Sequence, residues 1–501
     1  MADIGKRFRN APPKASIMIE SLRGLGYNTS TAIADIIDNS IASSAKNIRI
    51  NFHWDGNKST IRIIDDGWGM DPVELDRAMR LGDKNPLENR ATNDLGRFGL
   101  GLKTASFSQC RRLTVASKKN HISECLCWDL DYLALSSDDK WHLLEVDDHI
   151  SDSILAPIDE QPNGTVVLWE LLDRIITSGY TEQAFLDMID RVECHLSMVF
   201  HRYIDKGHNR IQVSINGKNI NPWDPFLTQH PSTWSSPVDR FYASNGLIEV
   251  QCHILPHKDR LEQVEYENAA GPEGWTAQQG FYVYRNRRLL VGGSWLGLGR
   301  GRSWTKEEAH RLARIRLDIP NTLDNEWKID VRKSTAKPPI SIRERLTKLA
   351  EDTRKRARHV FAYRGRPVHT TGRDEFIQAW CAVKLNDSVT YRIDHHHPAV
   401  SAVIEEAGPL KPKILAMLRV IEETVPVQRI WLDNADGKDI EQASPDDANS
   451  HEIRLILQTL YNSMVMGKGL SPQNARDRLL KTEPFQNYPD LVKTLPYIDE
   501  A

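Results

Sequence analysis

The segment TAIADIIDNSIAS at residues 31–43 limits the possible folds more than any other part of this sequence. Its isoleucines recur at the spacing of one helix face, which predicts a helix packed against a core. Asp35 and Asn39 are four residues apart, so their side chains lie on nearly the same side of that helix, one turn from each other. We therefore expect the isoleucines to face the core, and Asp35 and Asn39 to line the rim of a cavity.

These two polar side chains suit a particular chemistry. A carboxylate at the rim of a cavity can polarise a water molecule as a general base, and an amide oxygen is a ligand suited to Mg²⁺. Asp35 would supply the carboxylate and Asn39 the amide. The alternative interpretation is a helix with ordinary exposed acids, and this segment alone is compatible with both.

A second stretch, RIIDDGWGMD at residues 62–71, reads as an apolar strand that ends in two aspartates and alternating glycines. Gly67 and Gly69 have no Cβ, so the backbone there can approach a flat ligand closely. A carboxylate at the strand end, such as Asp65, can accept a hydrogen bond from an exocyclic amine like that of adenine. A simple hairpin turn would also explain this stretch if it stood alone.

A third stretch, GRFGLGLKT at residues 96–104, is a glycine-rich turn that opens a helix. Lys103 and Thr104 fall in the first turn of that helix. Backbone N–H groups at a helix start, together with a lysine, form an anion site that suits phosphates. The spacing matches neither a Walker loop nor a Rossmann fingerprint.

In this order, and within about seventy residues, the three stretches resemble the GHKL superfamily of ATPases. That superfamily includes DNA gyrase B, the large heat-shock chaperones, sensor histidine kinases and MutL. A fourth stretch, NGTVV at residues 163–167, resembles the last adenine-pocket motif of the superfamily. The first and third stretches look most like the MORC branch and its bacterial relatives.

The resemblance implies an ATP site with Mg²⁺, in which Asp35 is the general base, Asn39 the metal ligand and Asp65 the adenine contact. Residues 80–101 would form a lid over the nucleotide. The further nucleotide contacts that the resemblance implies are Gly67, Gly69, Met70, Gly99, Leu100, Gly101, Lys103, Thr104 and Thr165. The superfamily usually has glutamate in place of Asp35. Aspartate is one methylene shorter, so we expect slow hydrolysis, with Asp38 as a less well-spaced substitute.

A second block also resembles this superfamily. IDVRKSTAKPP at residues 329–339 resembles the MutL stretch that places a lysine on the γ-phosphate, and position by position that lysine is Lys337. GFYVYRNRRLL at residues 280–290 resembles the strand and turn that precede it in MutL and MORC transducer domains. The resemblance implies that this domain senses ATP and couples closure to dimerisation. The alternative is a basic loop after a strand.

The expected fold class is α+β, in four parts. Residues 1–16 would form an arm, 17–205 a GHKL (Bergerat) α/β sandwich, 206–340 a transducer-like α/β domain, and 341–501 a mainly helical region. Six cysteines without paired spacing, no signal-peptide core and no membrane-length apolar run favour a cytoplasmic protein.

Two basic stretches raise the possibility of nucleic-acid binding. The 65 basic and 68 acidic residues give a net charge of −3, which excludes a uniformly basic nucleic-acid coat. Local basic runs at residues 284–304 and 342–366 could nevertheless neutralise phosphates, although a solvated helix face is the commoner explanation of such runs.

Together with the resemblance, these runs lead us to expect an ATP-dependent homodimeric clamp on double-stranded DNA. The bacterial relatives of MORC imply a restriction–modification or anti-phage setting, with defence-system partner proteins. The alternatives are a chaperone-like ATPase that clamps protein clients, and a nucleotide-gated scaffold without useful hydrolysis.

Overall fold

A computed structural model describes most of the chain. The described residues are 13–24, 26–82, 101–136, 140–204, 210–243, 246–330, 333, 335–362, 377–385, 388–427, 429–430, 450–467, 469–485 and 488–495. Described residues up to 362 form one part of the molecule, and those from 377 onward form another. Most of the predicted arm and lid lie outside the described residues, and so do Gly99 and Leu100.

The first part begins with an eight-stranded sheet. Its strands are β1 Asn47–His53, β2 Thr60–Asp65, β3 Arg112–Lys119, β4 Ile122–Asp129, β5 Leu144–Glu145, β6 Gly164–Glu170, β7 Gln212–Ile215 and β8 Lys218–Asn219. Their order across the sheet is β5-β4-β3-β6-β2-β1-β7-β8. Strands β1 and β7 pair in parallel, and the other neighbours are antiparallel.

Helices cover both faces of this sheet. They are α1 Ala15–Arg23, α2 Thr29–Ala42, α3 Pro72–Met79, α4 Gly101–Phe107, α5 Leu130–Leu135, α6 Asp148–Leu155, α7 Glu182–Val199 and α8 His201–Ile204. Strand β1 buries alternate residues only, and α2, α4 and α7 contribute to the core on that face. A smaller core with α6 covers the other face. Helix α4 is anchored to β6, because the indole N–H of Trp169 donates to Ser106 Oγ at 2.8 Å.

A second sheet follows in the same part of the molecule. Its strands are β9 Trp234–Ser235, β10 Asp239–Ala243, β11 Gly246–Ile254, β12 Gly280–Arg285, β13 Arg288–Ser294 and β14 Ala313–Ile319. Strand order is β10-β11-β14-β12-β13, with β9 beside β11. Two helices accompany this sheet, α9 Gln263–Ala270 and α10 Ile340–Ala362. The apolar face of α10 packs into the core of this sheet through Leu346 and Ala350.

The part from residue 377 onward is mainly helical. It contains a hairpin, β15 Trp380–Leu385 and β16 Ser388–Ile393. Its helices are α11 Pro398–Glu406, α12 Lys411–Thr424, α13 Ser450–Asn462, a π-helical turn Ser463–Gly467, α14 Pro472–Leu480 and α15 Pro489–Lys493. Its own apolar core includes Tyr461 and Phe485.

The predicted α+β class is confirmed. One difference concerns the sheet to which two of the strands belong. Strands β7 and β8 lie beyond the predicted boundary at residue 206, yet β7 pairs with β1 and both extend the first sheet. Strand pairing over such a distance in sequence is decided by tertiary contacts. None of the helices among the described residues is both long enough and apolar enough to cross a membrane.

Candidate active site

Helix α2 is buried on almost every side. It begins after Asn28, whose side chain accepts a hydrogen bond from the Thr31 N–H at 2.8 Å while Thr31 Oγ1 accepts from the Asn28 N–H. This reciprocal cap satisfies two N–H groups that the first helical turn leaves without partners. Asp35 and Asp38 are only 3 % and 1 % exposed, whereas Asn39 is exposed. The rim position predicted for Asp35 is therefore wrong, because the second sheet and its loop cover this carboxylate.

Two cations from the second-sheet region neutralise the buried acids of α2. Lys333 Nζ lies 3.1 Å from Asp35 Oδ1 and 2.5 Å from Asp38 Oδ2. Arg288, the first residue of β13, places Nε 2.8 Å from Asp38 Oδ2 and Nη2 3.6 Å from Asp35 Oδ1. Removing charges from water costs several kcal/mol for each ion, so each buried acid requires such a partner. The four side chains form a balanced cluster of two negative and two positive charges.

The lysine at this cluster is Lys333 and not Lys337. The Lys333 N–H donates to Asp330 O at 3.0 Å, and its φ of 53° turns the chain so that the side chain points into the site. Lys337 has an exposed side chain, and its N–H donates to Trp327 O at 2.8 Å. The resemblance to MutL pointed to Lys337, because this lysine follows an alanine as it does in the MutL stretch. The local sequence carries no motif that marks the turn at Lys333.

The other oxygen of Asp35 binds a tyrosine that the sequence analysis did not identify. The Tyr27 hydroxyl donates to Asp35 Oδ2 at 2.8 Å, and it is also hydrogen-bonded to the Thr104 side chain. Burial, followed by the charge of Asp35, raises the pKa of Tyr27. The hydroxyl therefore stays protonated and acts as a donor. Thr104, predicted to contact phosphate, is fully buried and takes part in this network instead.

Lys103 is also engaged within the protein. Its side chain is buried, and Nζ donates to Ala78 O at 2.8 Å and to Arg80 O at 2.7 Å. These carbonyls lie at the end of α3, where a cation also interacts favourably with the helix dipole. In this structure the Lys103 ammonium thus stabilises the end of α3, and Gly101 is the first residue of α4.

Asp65 ends β2 in a buried position and is held by two donors. Ser40 Oγ donates to Asp65 Oδ2 at 2.7 Å, and the Gly67 N–H donates to Oδ1 at 2.9 Å. Burial raises the pKa of Asp65 to about 6, Asp66 adds to the rise, and the two hydrogen bonds oppose it. The carboxylate is thus oriented by α2 and by its own turn.

Thr165 lies beside Asp65 on the neighbouring strand, because the two residues are direct partners in the β2–β6 pair. Thr165 Oγ1 is 3.0 Å from Ser117 Oγ on β3, and Ser117 Oγ also accepts from the Met70 N–H at 2.8 Å. The structure therefore brings together Asp65, Met70 and Thr165, which are far apart in sequence. A carboxylate next to a hydroxyl is an arrangement that can read the amine edge of adenine.

Gly69 is required by the packing of its loop. It has a φ of 64°, and a Cβ at this position would lie 1.9 Å from Lys118 O. The sequence analysis attributed this glycine to close approach of a flat ligand. In the structure the loop before α3 instead packs directly against the end of β3.

Asn39 fits the role of a metal ligand. It is exposed on α2, one turn from Asp35, and among the described residues its side chain makes no hydrogen bond. An exposed amide oxygen at the edge of an acidic cluster is a hard ligand of the type that Mg²⁺ takes alongside substrate phosphates.

Comparison with known proteins places this site in a class. Residues 27–165 match the family described as "Histidine kinase-, DNA gyrase B-, and HSP90-like ATPase". The segment includes α2, the Asp65 turn, α4 and Thr165, so it spans most of the residues that the sequence predicts to contact ATP. Residues 27–165 therefore form an ATP-binding domain of the GHKL superfamily.

A stretch of the chain is also similar to a MORC ATPase. It is 29% identical over 116 residues to the ATPase morc-1 of Caenorhabditis elegans, a match that covers 23% of this chain and 13% of that protein.

The clash at Gly69 predicts a specific loss of stability. Gly69→Ala should lower the free energy of unfolding by on the order of 2 kcal/mol more than Gly56→Ala does. The reason is that only the Cβ added at position 69 clashes with backbone atoms. Gly56 is the matched control, since its φ is also positive at 50° and an added Cβ there has nothing within 4 Å. Urea unfolding of both variants checks this, and equal losses would mean that the φ value alone accounts for the effect.

The raised pKa of Asp65 predicts a pH dependence of stability. Because the folded-state pKa of about 6 lies above the ordinary value of 3.8, folding favours the protonated carboxyl, and this advantage is lost as the pH rises through 6. Relative to Asp65→Asn, the wild type should lose about 1 kcal/mol of unfolding free energy between pH 5 and pH 7. Urea titrations at the two pH values measure this difference. Parallel pH profiles would show that Asp65 is ionised throughout.

Proposed function

We propose that this protein binds Mg–ATP, hydrolyses it slowly, and closes as an ATP-gated dimeric clamp on double-stranded DNA. The observation that carries the proposal is the contact of Lys333 with Asp35, because it joins the acid of an ATP-binding domain to a cation of the second-sheet region. Any ligand that changes the charge at Asp35 therefore acts on both regions. Such coupling is what an ATP-driven conformational change requires.

Each residue of the site has a role in this proposal. Asp65 and Thr165 bind the adenine, and Asn39 holds Mg²⁺, which would neutralise the phosphate charge. Asp35 accepts a proton from water while the water oxygen bonds to the γ-phosphorus. The bond from that phosphorus to the bridging oxygen of ADP breaks, and ADP leaves with the electron pair.

Lys333 is the proposed sensor of the γ-phosphate. In the structure its ammonium is shared by Asp35 and Asp38. A triphosphate offers a more negative acceptor, so the lysine would exchange a carboxylate for phosphate when ATP binds. Arg288 would remain on Asp38, which keeps one buried charge neutral during the exchange.

Two arginines of the predicted basic surface are buried in ion pairs and stabilise the fold instead. Arg285 is buried against Asp324 at 2.6 Å, and Arg288 is buried against Asp38. Arg287, Arg300 and Arg302 of the 284–304 run stay exposed, and the DNA proposal depends mainly on the exposed cations of α10. They are Arg343, Arg345, Lys348, Lys355, Arg356 and Arg358. Arg345 and Lys355 are paired with nearby acids, which leaves a weaker basic face than the sequence alone indicates.

The setting that we propose is bacterial restriction–modification or anti-phage defence, with partner proteins of that system. It rests on the similarity of the motifs to bacterial relatives of MORC. The alternative is a chaperone-like ATPase or nucleotide-gated scaffold that acts on protein partners. The burial and charge pairing of Asp35 favour the scaffold, because both oppose access of water to the base.

ATP turnover, titrated with long double-stranded DNA at low and moderate salt, tests the proposed function. We expect DNA to stimulate turnover, and the stimulation should be weaker at moderate salt.

Asp35→Asn is the background control. It should still bind ATP, and its turnover should be lower by at least about a hundredfold. Lys348→Glu with Arg358→Glu should weaken stimulation and leave basal turnover unchanged. Turnover indifferent to DNA would favour protein partners, and a mass that does not double with a non-hydrolysable ATP analogue would contradict the dimer.

The two lysines of the 329–339 stretch are separated by paired substitutions. Lys333→Gln should lower turnover by at least about tenfold, because it removes the charge next to Asp35, whereas Lys337→Gln should stay within about twofold of wild type. Steady-state kinetics, with ATP affinity measured separately, compares the two. If Lys337→Gln has the larger effect, the lysines exchange places on nucleotide binding and the original sequence prediction holds.

A further inference from the structure

Among the described residues, Tyr27 is a neutral side chain that hydrogen-bonds to Asp35, and it lies between two helices of the site. It precedes Asn28, the cap of α2, and is only 8 % exposed. Its hydroxyl donates to Asp35 Oδ2 and is also hydrogen-bonded to Thr104 on α4. The phenol therefore connects the acid of α2 to the helix that follows the glycine-rich stretch.

The backbone around Tyr27 is held in place independently of its hydroxyl. Gln109, just after α4, donates from Nε2 to Tyr27 O at 3.4 Å, and its Oε1 accepts from Thr29 Oγ1 at 2.8 Å. One side chain thus holds both the turn before α2 and the first residue of α2. The Tyr27 ring is consequently fixed at its base by Gln109 and at its tip by Asp35 and Thr104.

The two oxygens of Asp35 depend on different kinds of partner. Oδ1 faces Lys333 and Arg288, which are charged and belong to the second-sheet region. Oδ2 faces Tyr27, which belongs to the same domain as Asp35. If ATP draws Lys333 away, Oδ1 loses its nearest partner, and the bond from Tyr27 still sets the direction of the carboxylate.

We propose that Tyr27 is a positioning residue, which orients the Asp35 carboxylate for attack by water and links its orientation to α4 through Thr104. The inference rests on the proposed hydrolysis. A misplacement of about 1 Å at a reacting group can lower a rate by about a hundredfold. An aspartate base reaches less far than a glutamate, so it tolerates less error in its direction. The hydrogen bond from Tyr27 occupies one lone pair of Oδ2 and leaves the other lone pairs of the carboxylate for water.

Tyr27→Phe tests the role, because it keeps the ring and removes only the hydroxyl. We expect kcat to fall at least about tenfold, with KM for ATP, ATP affinity and the thermal midpoint close to wild type. Tyr180→Phe is the matched control. It makes the same chemical change in the same domain, where the hydroxyl donates to Ala184 O at 3.1 Å.

Thr104→Val provides a second variant, should Tyr27→Phe not fold. It should lower kcat by a smaller factor, because Tyr27 loses one of its two partners. The double variant should be no slower than Tyr27→Phe alone, because both substitutions act through the same hydroxyl.

The possible results distinguish the two proposals. Wild-type kcat in Tyr27→Phe, or additive losses in the double variant, would overturn the role of Tyr27 and leave hydrolysis standing. Parallel losses of kcat, ATP affinity and thermal midpoint would indicate a purely structural role and would also overturn it. Absence of turnover in the wild type would overturn the hydrolysis proposal itself.

Discussion

The cluster of Asp35, Asp38, Arg288 and Lys333 is the interaction on which the rest of this structure depends. Two carboxylates buried on one helix would be strongly destabilising alone, because an unpaired buried charge costs several kcal/mol. The compensating cations come from residues about 250 and 300 positions later in the chain. The pairing of these carboxylates therefore requires the second-sheet region to be folded against the helix, and it joins the two regions into one electrostatic unit.

In the proposed mechanism this arrangement gives ATP a direct means of acting on the second-sheet region. The cluster is neutral as two acids and two cations, so a highly charged triphosphate bound beside Asn39, as we propose, would disturb its balance. Lys333 is the partner that can respond, since its flexible stem carries a compact charge, whereas the planar guanidinium of Arg288 binds Asp38 more rigidly. Tyr27 holds the remaining oxygen of Asp35 within its own domain. In this proposal the contact of Lys333 with Asp35 is the one that changes, and the contacts of Arg288 and Tyr27 persist.

Sequence reasoning was most successful where the signal is local. Helix α2, the helix that begins at Gly101 and the strand that ends in Asp65 are each encoded by a few neighbouring residues, and the described residues include all three. It was least successful for side chains whose partner is distant. Asp38 was considered only as a substitute base, Tyr27 was not considered, and Arg288 was counted as part of a basic surface. Each owes its role to a contact that no local pattern reveals.

The sequence by itself determined the class of the first domain, because the ATP-site motifs combine residue type, spacing and order in a way that survives without knowledge of the fold. It also determined that Asp35 and Asn39 share one side of a helix, since that follows from helix geometry alone. Only the tertiary structure decided that Asp35 is buried, that Lys333 and not Lys337 neutralises it, and that β7 joins the first sheet. The physical reason is that burial and charge pairing depend on which distant segments meet, and a turn with one residue at positive φ is enough to exchange one lysine for another.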